Sequence, residues 1–116
     1  MSSQPPPGGN LFAPLPATPP PAEMFDPLLT RPGWTVERIE SWGHATAPGE
    51  WFDQTTDEFV VLLSGAARLR IEGEAAPREL VPGDWVFLAA RVRHRVEWTA
   101  AGAPSVWLAV HATAHR

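Results

Sequence analysis

From Trp34 onward, apolar and β-branched residues occur in short runs that are separated by glycine-containing turns. Short runs of this kind at regular spacing predict β-strands, and no stretch shows the period of an amphipathic helix. The pattern therefore predicts a single all-β domain over residues 33–113, folded as a sandwich or a barrel. The runs are WTVERIES, EFVVLLSG, ARLRIEGE, REL, VPGDWVFLAA, RHRVEWT and PSVWLAVHA.

Two of these runs alternate clearly enough to predict which side chains face the core. In ARLRIE, the apolar residues lie on one side of the strand and the charged residues lie on the other. In RHRVEW, His94 shares a face with Val96 and Trp98, whereas the charged residues between them point away. The second alternation predicts that His94 points into the interior.

The first 32 residues differ from the rest of the chain in composition. Ten of the fourteen prolines fall within residues 1–32. Proline fixes φ and removes a backbone donor, so we expect residues 1–32 to form a Pro-rich, largely disordered arm. The apolar stretch from Phe25 to Leu29 is the exception, because it could dock on the folded domain. Residues 114–116 are expected to form a short tail.

Composition excludes several function classes. The formal charge of −4 leaves no basic patch for nucleic acid or an anionic membrane, and the absence of cysteine excludes disulfides and thiolate ligands. No apolar run is long enough to span a bilayer, and no secretory signal is evident, so a cytoplasmic protein is expected. A chain of 116 residues that forms one small all-β domain and carries six tryptophans is also expected to form a homodimer.

Glu58 and His94 are the main candidates for chemistry. Glu58 begins the run EFVVLLS, in which both faces are apolar, so its side chain is expected to point toward the interior or its rim. An inward carboxylate and an inward imidazole are costly to bury, and a divalent metal ion would satisfy both. The alternatives are a core histidine bonded to a backbone carbonyl and a solvent-exposed glutamate at the start of a strand.

The spacing of Glu58 and His94 relative to nearby glycines resembles that of a known family. Glu58 and Gly65 have the spacing of the first cupin motif, and Gly83 and His94 match two positions of the second. The chain thus resembles a small single-domain cupin over most of residues 34–111. The resemblance implies an antiparallel jelly-roll barrel with a site for a divalent metal ion, without pointing to one reaction.

The chain departs from the cupin pattern at the two remaining metal ligands. Where the first motif has two histidines, this sequence has Phe52 and Gln54 under one spacing, or Trp51 and Asp53 under the other. Side-chain oxygens also bind divalent ions, so Gln54 is the expected third ligand and Asp53 its substitute. His44 could supply a further imidazole from a neighbouring loop, or lie in a surface turn. Zinc, iron, manganese and nickel are not distinguished.

Other residues carry weaker signals. Trp51 and Trp98 could line a ligand pocket or pack in the core. His111 shares a face with Trp107 by alternation and could line the end of the barrel or simply pack there. Arg91 could bind an anionic substrate at the barrel mouth, or belong to a solvated surface, and His115 in the tail is expected to take no part.

The sequence leaves three functions open. The first is a metal-dependent enzyme acting on a small molecule by isomerase, lyase or dioxygenase chemistry, with no catalytic residue assigned. The second is a metal-free sensor or carrier that binds a small molecule in an aromatic-rich barrel. The third is an interaction module that recruits a partner through the Pro-rich arm.

Overall fold

The computed structural model describes residues 5–114. This part of the chain contains eight strands and no helix, as the hydrophobic pattern predicts. It therefore also contains no helix that could cross a membrane. The strands are β1 (Met24–Arg31), β2 (Trp34–Ser41), β3 (Thr56–Ser64), β4 (Ala67–Ile71), β5 (Arg78–Leu80), β6 (Trp85–Leu88), β7 (His94–Thr99) and β8 (Ser105–Thr113).

The strands form two antiparallel sheets that enclose one core. The larger sheet has the order β1-β2-β8-β3-β6, and the smaller has the order β5-β4-β7. The crossed order of non-consecutive strands is the arrangement of a jelly roll, so the predicted all-β, antiparallel jelly-roll fold is confirmed. Its core draws on the inner faces of both sheets: Ile39, Val60, Leu62, Ala67, Leu69, Ile71, Leu80, Val86, Leu88, Trp107 and Ala109.

Strand β4 shows the alternation that the sequence predicts. Ala67, Leu69 and Ile71 are buried, whereas Arg68 is exposed and pairs with Glu79 on strand β5. The period-2 pattern fixes these faces because successive side chains of a strand point to opposite sides of the sheet.

The N-terminal segment is more structured than the sequence predicts. The expected arm reaches residue 32, but β1 already begins at Met24 and pairs with β2 from Met24 to Arg31. Pro27 is tolerated because β1 is an edge strand and its register shifts between Pro27 and Leu29. The apolar stretch from Phe25 to Leu29 is thus part of the sheet. The expectation for His115 lies outside the described residues.

Residues upstream of β1 also contact the folded domain. The Arg38 guanidinium, on the outer face of β2, donates hydrogen bonds to the carbonyl oxygens of Leu11, Ala13 and Pro14. It also pairs with Asp26 of β1 at 2.9 Å and with Glu40 at 3.0 Å. The arm therefore covers a charged cluster on the outside of the larger sheet.

Candidate functional site

A cavity of about 50 Å³ lies between the two sheets. Side chains from β1, β2, β3, β6 and β8 of the larger sheet face Leu69 of β4 and His94 of β7 across it. Apolar side chains make up most of its wall, and its polar groups are carboxylates, imidazoles and one amide. The lining residues are Glu23, Phe25, Glu37, Ile39, Phe52, Gln54, Glu58, Val60, Leu69, Leu88, His94, Val96, Trp107 and His111.

Glu58 supplies the most deeply buried carboxylate of this cavity. It lies in β3 between Leu88 of β6 and His111 of β8, on the face that also carries the core residue Val60. The residue is only 6% exposed, and its Oε1 atom has no hydrogen-bond partner among the described residues. A buried carboxylate oxygen without a donor is costly, so this atom calls for a partner that binds in the cavity.

His94 presents a nitrogen to that same oxygen. Its Nδ1 lies 3.0 Å from the carbonyl oxygen of Val92, and a carbonyl can only accept, so Nδ1 carries the proton. In the neutral ring, Nε2 then offers a lone pair, and it lies 3.5 Å from Glu58 Oε1. Two acceptors therefore face each other across a gap that a proton or a metal cation would fill.

His111 and Glu37 form a second polar pair on the cavity wall. His111 Nε2 lies 3.0 Å from Glu37 Oε1 and 3.9 Å from Glu58 Oε2. The hydrogen bond to Glu37 raises the pKa of His111, an effect that burial partly opposes. The sequence left the role of His111 open, and the structure places it beside Glu58.

Glu37 is a cavity residue that was not predicted from the sequence. The signal was available, because alternation in WTVERIES puts Glu37 on the same face as Ile39, a core residue. Glu37 is followed by Arg38 and Glu40, and charged residues in a strand are more often solvent-exposed, which hid its role.

Glu23 is the second residue that was missed. It precedes β1, accepts a hydrogen bond from Ser41 Oγ, and lines the cavity. Ser41 Oγ in turn accepts a hydrogen bond of 3.2 Å from the Trp107 indole. Burial raises the pKa of Glu23. Because Glu23 lies in the Pro-rich segment, its position depends on the docking of β1, which no local pattern indicates.

Of the two predicted substitutes for the missing histidines, only Gln54 reaches the cavity. Asp53 instead pairs with Arg91, with 2.9 Å between Asp53 Oδ1 and Arg91 Nε. The ion pair occupies both side chains. Arg91 is thus neutralised by Asp53 and is not part of the cavity wall. Phe52, at the other histidine position, stacks on the His94 ring with centroids 5.5 Å apart.

His44 is not brought to the predicted site. Its Nδ1 accepts a hydrogen bond from the Trp42 amide at 2.9 Å, and its Nε2 lies 3.1 Å from the Pro20 carbonyl oxygen. Both ring nitrogens are thus engaged by backbone groups. His44 orders the loop after β2 and does not line the cavity.

Trp51 and Trp98, the predicted pocket residues, lie outside the cavity. The register between β4 and β7 shifts, so that Val96 is opposite Leu69 but Trp98 is opposite Arg68, on the outer face. The Arg68 guanidinium lies over the Trp98 ring, 4.9 Å from its centroid. Trp51 lies under Arg93, 5.3 Å from the guanidinium carbon. A β-bulge reverses the alternation, and the sequence pattern does not reveal it.

The cavity offers the types of ligand atom that bind a divalent metal ion, but only a few of them. Glu58 and His94 offer a carboxylate oxygen and an imidazole nitrogen, which bind zinc, iron, manganese or nickel. Within residues 5–114, however, no group of three or more histidine, aspartate or glutamate side chains is placed to hold a metal ion. A third ligand would have to be the amide oxygen of Gln54, which lines the same cavity.

Comparison with known proteins agrees with this fold. The family described as "Cupin domain" matches residues 41–111. A crystal structure from Ralstonia eutropha JMP134, of a protein provisionally named a mannose-6-phosphate isomerase, is 51% identical, with a TM-score of 0.91. The match covers 94% of this chain and 100% of that one. No curated protein sequence matches the chain significantly.

Two more distant structures show the fold alone. The protein TT1209 from Thermus thermophilus is 20% identical with a TM-score of 0.69, over 85% of this chain and 91% of that one. A cupin superfamily protein from Desulfitobacterium hafniense DCB-2 is 15% identical with a TM-score of 0.67, over 84% and 83% respectively. Because the family match spans most of the barrel and the jelly-roll strands surround its cavity, the chain belongs to the cupin family.

Proposed function

We propose that the barrel cavity binds a divalent metal ion through Glu58 and His94, with Gln54 as third ligand, and takes up a small organic molecule beside it. The observation that carries this proposal is the gap of 3.5 Å between Glu58 Oε1 and His94 Nε2. One atom is a buried carboxylate oxygen without a donor and the other is an imidazole nitrogen with a lone pair. A cation between them would satisfy both.

The orientation of His94 supports the same proposal. Its Nδ1 is held by the Val92 carbonyl oxygen at 3.0 Å, which fixes the ring with Nε2 toward the cavity. Metal-binding histidines commonly donate their other ring nitrogen to a backbone carbonyl in this way. Phe52 stacks on the ring and limits its rotation further. His94 is therefore preorganised for binding through Nε2.

The proposed activity is proton transfer on the bound molecule, of the isomerase or lyase type. A divalent metal would act as a Lewis acid that polarises an oxygen of the substrate. The pair of His111 and Glu37 holds a proton at His111 Nε2, at the edge of the same cavity. This group is placed to donate a proton, and apolar residues such as Val60 and Leu88 line the cavity beside it. The relative named as an isomerase supports this reaction class.

Metal titration of variants tests the proposal. We expect manganese, iron, nickel or zinc to bind to the chelator-treated wild type at about one ion per chain in calorimetry. Glu58→Gln and His94→Ala should weaken binding at least about 100-fold, since each removes a direct ligand, and Gln54→Ala should weaken it less. His44→Ala is the matched control, because His44 lies outside the cavity. Unchanged affinity in the Glu58 and His94 variants would contradict the proposal.

A second candidate function is metal-free binding of a small molecule. It is favoured by Phe52, which stacks on His94 at a position where the cupin motif has a histidine. It is also favoured because, within residues 5–114, no further histidine or acidic side chain is placed to join Glu58 and His94 as a third ligand. Under this alternative the chelator-treated wild type binds no metal but still binds a small molecule in the cavity. The titration above separates the two candidates.

A further inference from the structure

The ionisable side chains that line the cavity are carboxylates, apart from the imidazoles of His94 and His111. Three carboxylates line it, from Glu23, Glu37 and Glu58, and no arginine is among the lining residues. The sequence contains no lysine at all. An anionic ligand would have to lose its hydration beside these carboxylates, which costs much free energy unless a cation compensates.

The arginines outside the cavity offer no such compensation. Of those within residues 5–114, all except Arg31 have a carboxylate oxygen within 4.0 Å. Arg91, whose backbone amide donates to the Gln54 carbonyl oxygen at 2.7 Å, is held by Asp53 at 2.9 Å. Arg31 donates to the Thr30 carbonyl oxygen at 2.8 Å and does not line the cavity. The described residues also contain no helix, whose N-terminus could bind phosphate.

The size and walls of the cavity restrict the ligand further. Its volume of about 50 Å³ is well below the roughly 300 Å³ of pockets that hold drug-sized ligands. Much of the wall is apolar, with Ile39, Leu69 and Val96 among its members, and Glu58 Oε1 is a buried acceptor without a donor. These features match a small molecule with an apolar body and a hydrogen-bond donor at one end.

We infer that the cavity without metal selects an uncharged molecule of few heavy atoms, with a hydroxyl group that donates to Glu58 and an apolar remainder, and that it rejects phosphate esters. The inference rests on the proposed function in one respect, namely that the cavity binds a small organic molecule. It separates this protein from the substrate class in the name of its 51% identical relative, because a sugar phosphate is both larger and doubly charged.

Matched probes test the inference. We would measure saturation-transfer NMR of 1-propanol, propionate and propyl phosphate with the full-length protein, both loaded with zinc and treated with chelator. The probes share an apolar body and differ in the charge of the polar end. We expect 1-propanol to bind at least 10-fold more tightly than propyl phosphate in the chelator-treated form, in which no cation compensates the carboxylates. Glu58→Gln should reduce this preference several-fold, whereas Glu79→Gln, which changes an exposed partner of Arg68, should leave it unchanged.

The outcomes distinguish this inference from the proposed metal site. Failure of zinc to bind, with the preference for 1-propanol retained, would remove the metal from the proposed function and support the inference. Zinc binding, together with equal or tighter binding of propyl phosphate in the chelator-treated form or with isomerisation of mannose 6-phosphate, would overturn the inference and leave the metal site standing. Absence of saturation transfer from all three probes would also overturn it.

Discussion

Glu58 and His94 illustrate what a sequence can indicate about a site. Both were predicted to point inward from their position among apolar residues, and both are 6% exposed in the structure. The sequence does not reveal that their polar atoms lie 3.5 Å apart, because this depends on how the two sheets pack face to face. It also does not reveal that His44 is bonded to the Pro20 carbonyl, a contact that exists only because the arm folds back.

The pair of His111 and Glu37 should make stability depend on pH. Because the folded protein raises the pKa of His111, the protonated ring stabilises the fold fully below its ordinary value of about 6.5. This contribution is lost as pH rises through the higher pKa of the folded state. We expect urea unfolding to show that Glu37→Gln lowers the free energy of unfolding at pH 6 by roughly 1 to 2 kcal/mol, and by less at pH 8.5. Equal losses at the two pH values would contradict this role of the pair.

Gly65 should tolerate no side chain. Its φ is +88°, and an added Cβ would lie 2.6 Å from the Cα of Ser105, a backbone atom that cannot move aside. Gly73 has a similar φ of +95° but nothing within 4 Å, so it is a matched control for backbone strain alone. We expect Gly65→Ala to lose several kcal/mol in chemical denaturation and Gly73→Ala to lose only about 1 kcal/mol. Similar losses at both positions would show that the close approach to Ser105 does not matter.

Among the elements, β4 and β7 show where alternation succeeds and where it fails. β4 has an uninterrupted period of two, and its faces were predicted correctly. In β7 the register shift relative to β4 turns Trp98 outward, although His94 keeps its inward position. A bulge adds one residue between paired positions, and nothing in RHRVEW marks it. Strand faces are therefore predictable up to the first irregularity.

Strand β1 and the arm depend on Arg38. This residue is 6% exposed and lies between Asp26 and Glu40, while its guanidinium also binds the arm carbonyls. Arg38→Met would leave Glu40, which is 1% exposed, without its counter-charge. We expect a loss of about 3 kcal/mol in unfolding free energy, together with faster proteolysis of the arm.

The exposed pair of Arg78 and Glu74 provides the control for this experiment. Its side chains are 48% and 35% exposed, so Arg78→Met should change stability little. If Arg38→Met and Arg78→Met behaved alike, the arm would not be held by the buried cluster.

For the whole molecule, the expected homodimer remains a prediction. The outer face of the larger sheet exposes Phe59, Trp85 and Phe87, and its last strand, β6, lies at an edge. Exposed aromatic side chains on an edge are unfavourable in water and favour association. We expect light scattering to give twice the chain mass of 12.7 kDa, and Trp85→Ser to shift the population toward the monomer. A monomer at all concentrations would contradict this expectation.

The whole molecule also shows why the fold was easier to predict than the site. The fold follows from local signals, because short strand runs alternate with turn glycines along the chain. The cupin spacing of Glu58, Gly65, Gly83 and His94 is likewise visible in the sequence. The site depends on contacts between distant segments, such as Glu23 from the arm and Glu37 from β2. Such residues have ordinary local surroundings, and only the closed barrel brings them together.

Glu58 and His94 are proposed to hold a divalent metal ion in the barrel. The most direct measurement is the metal content of protein purified without an affinity tag, by mass spectrometry of the elements, for the wild type, Glu58→Ala, His94→Ala and the control His44→Ala. We predict close to one equivalent of manganese, iron, nickel or zinc in the wild type and in His44→Ala, and almost none in the other two variants. Wild-type protein that stays metal-free, even after incubation with all four metals, would contradict the claim.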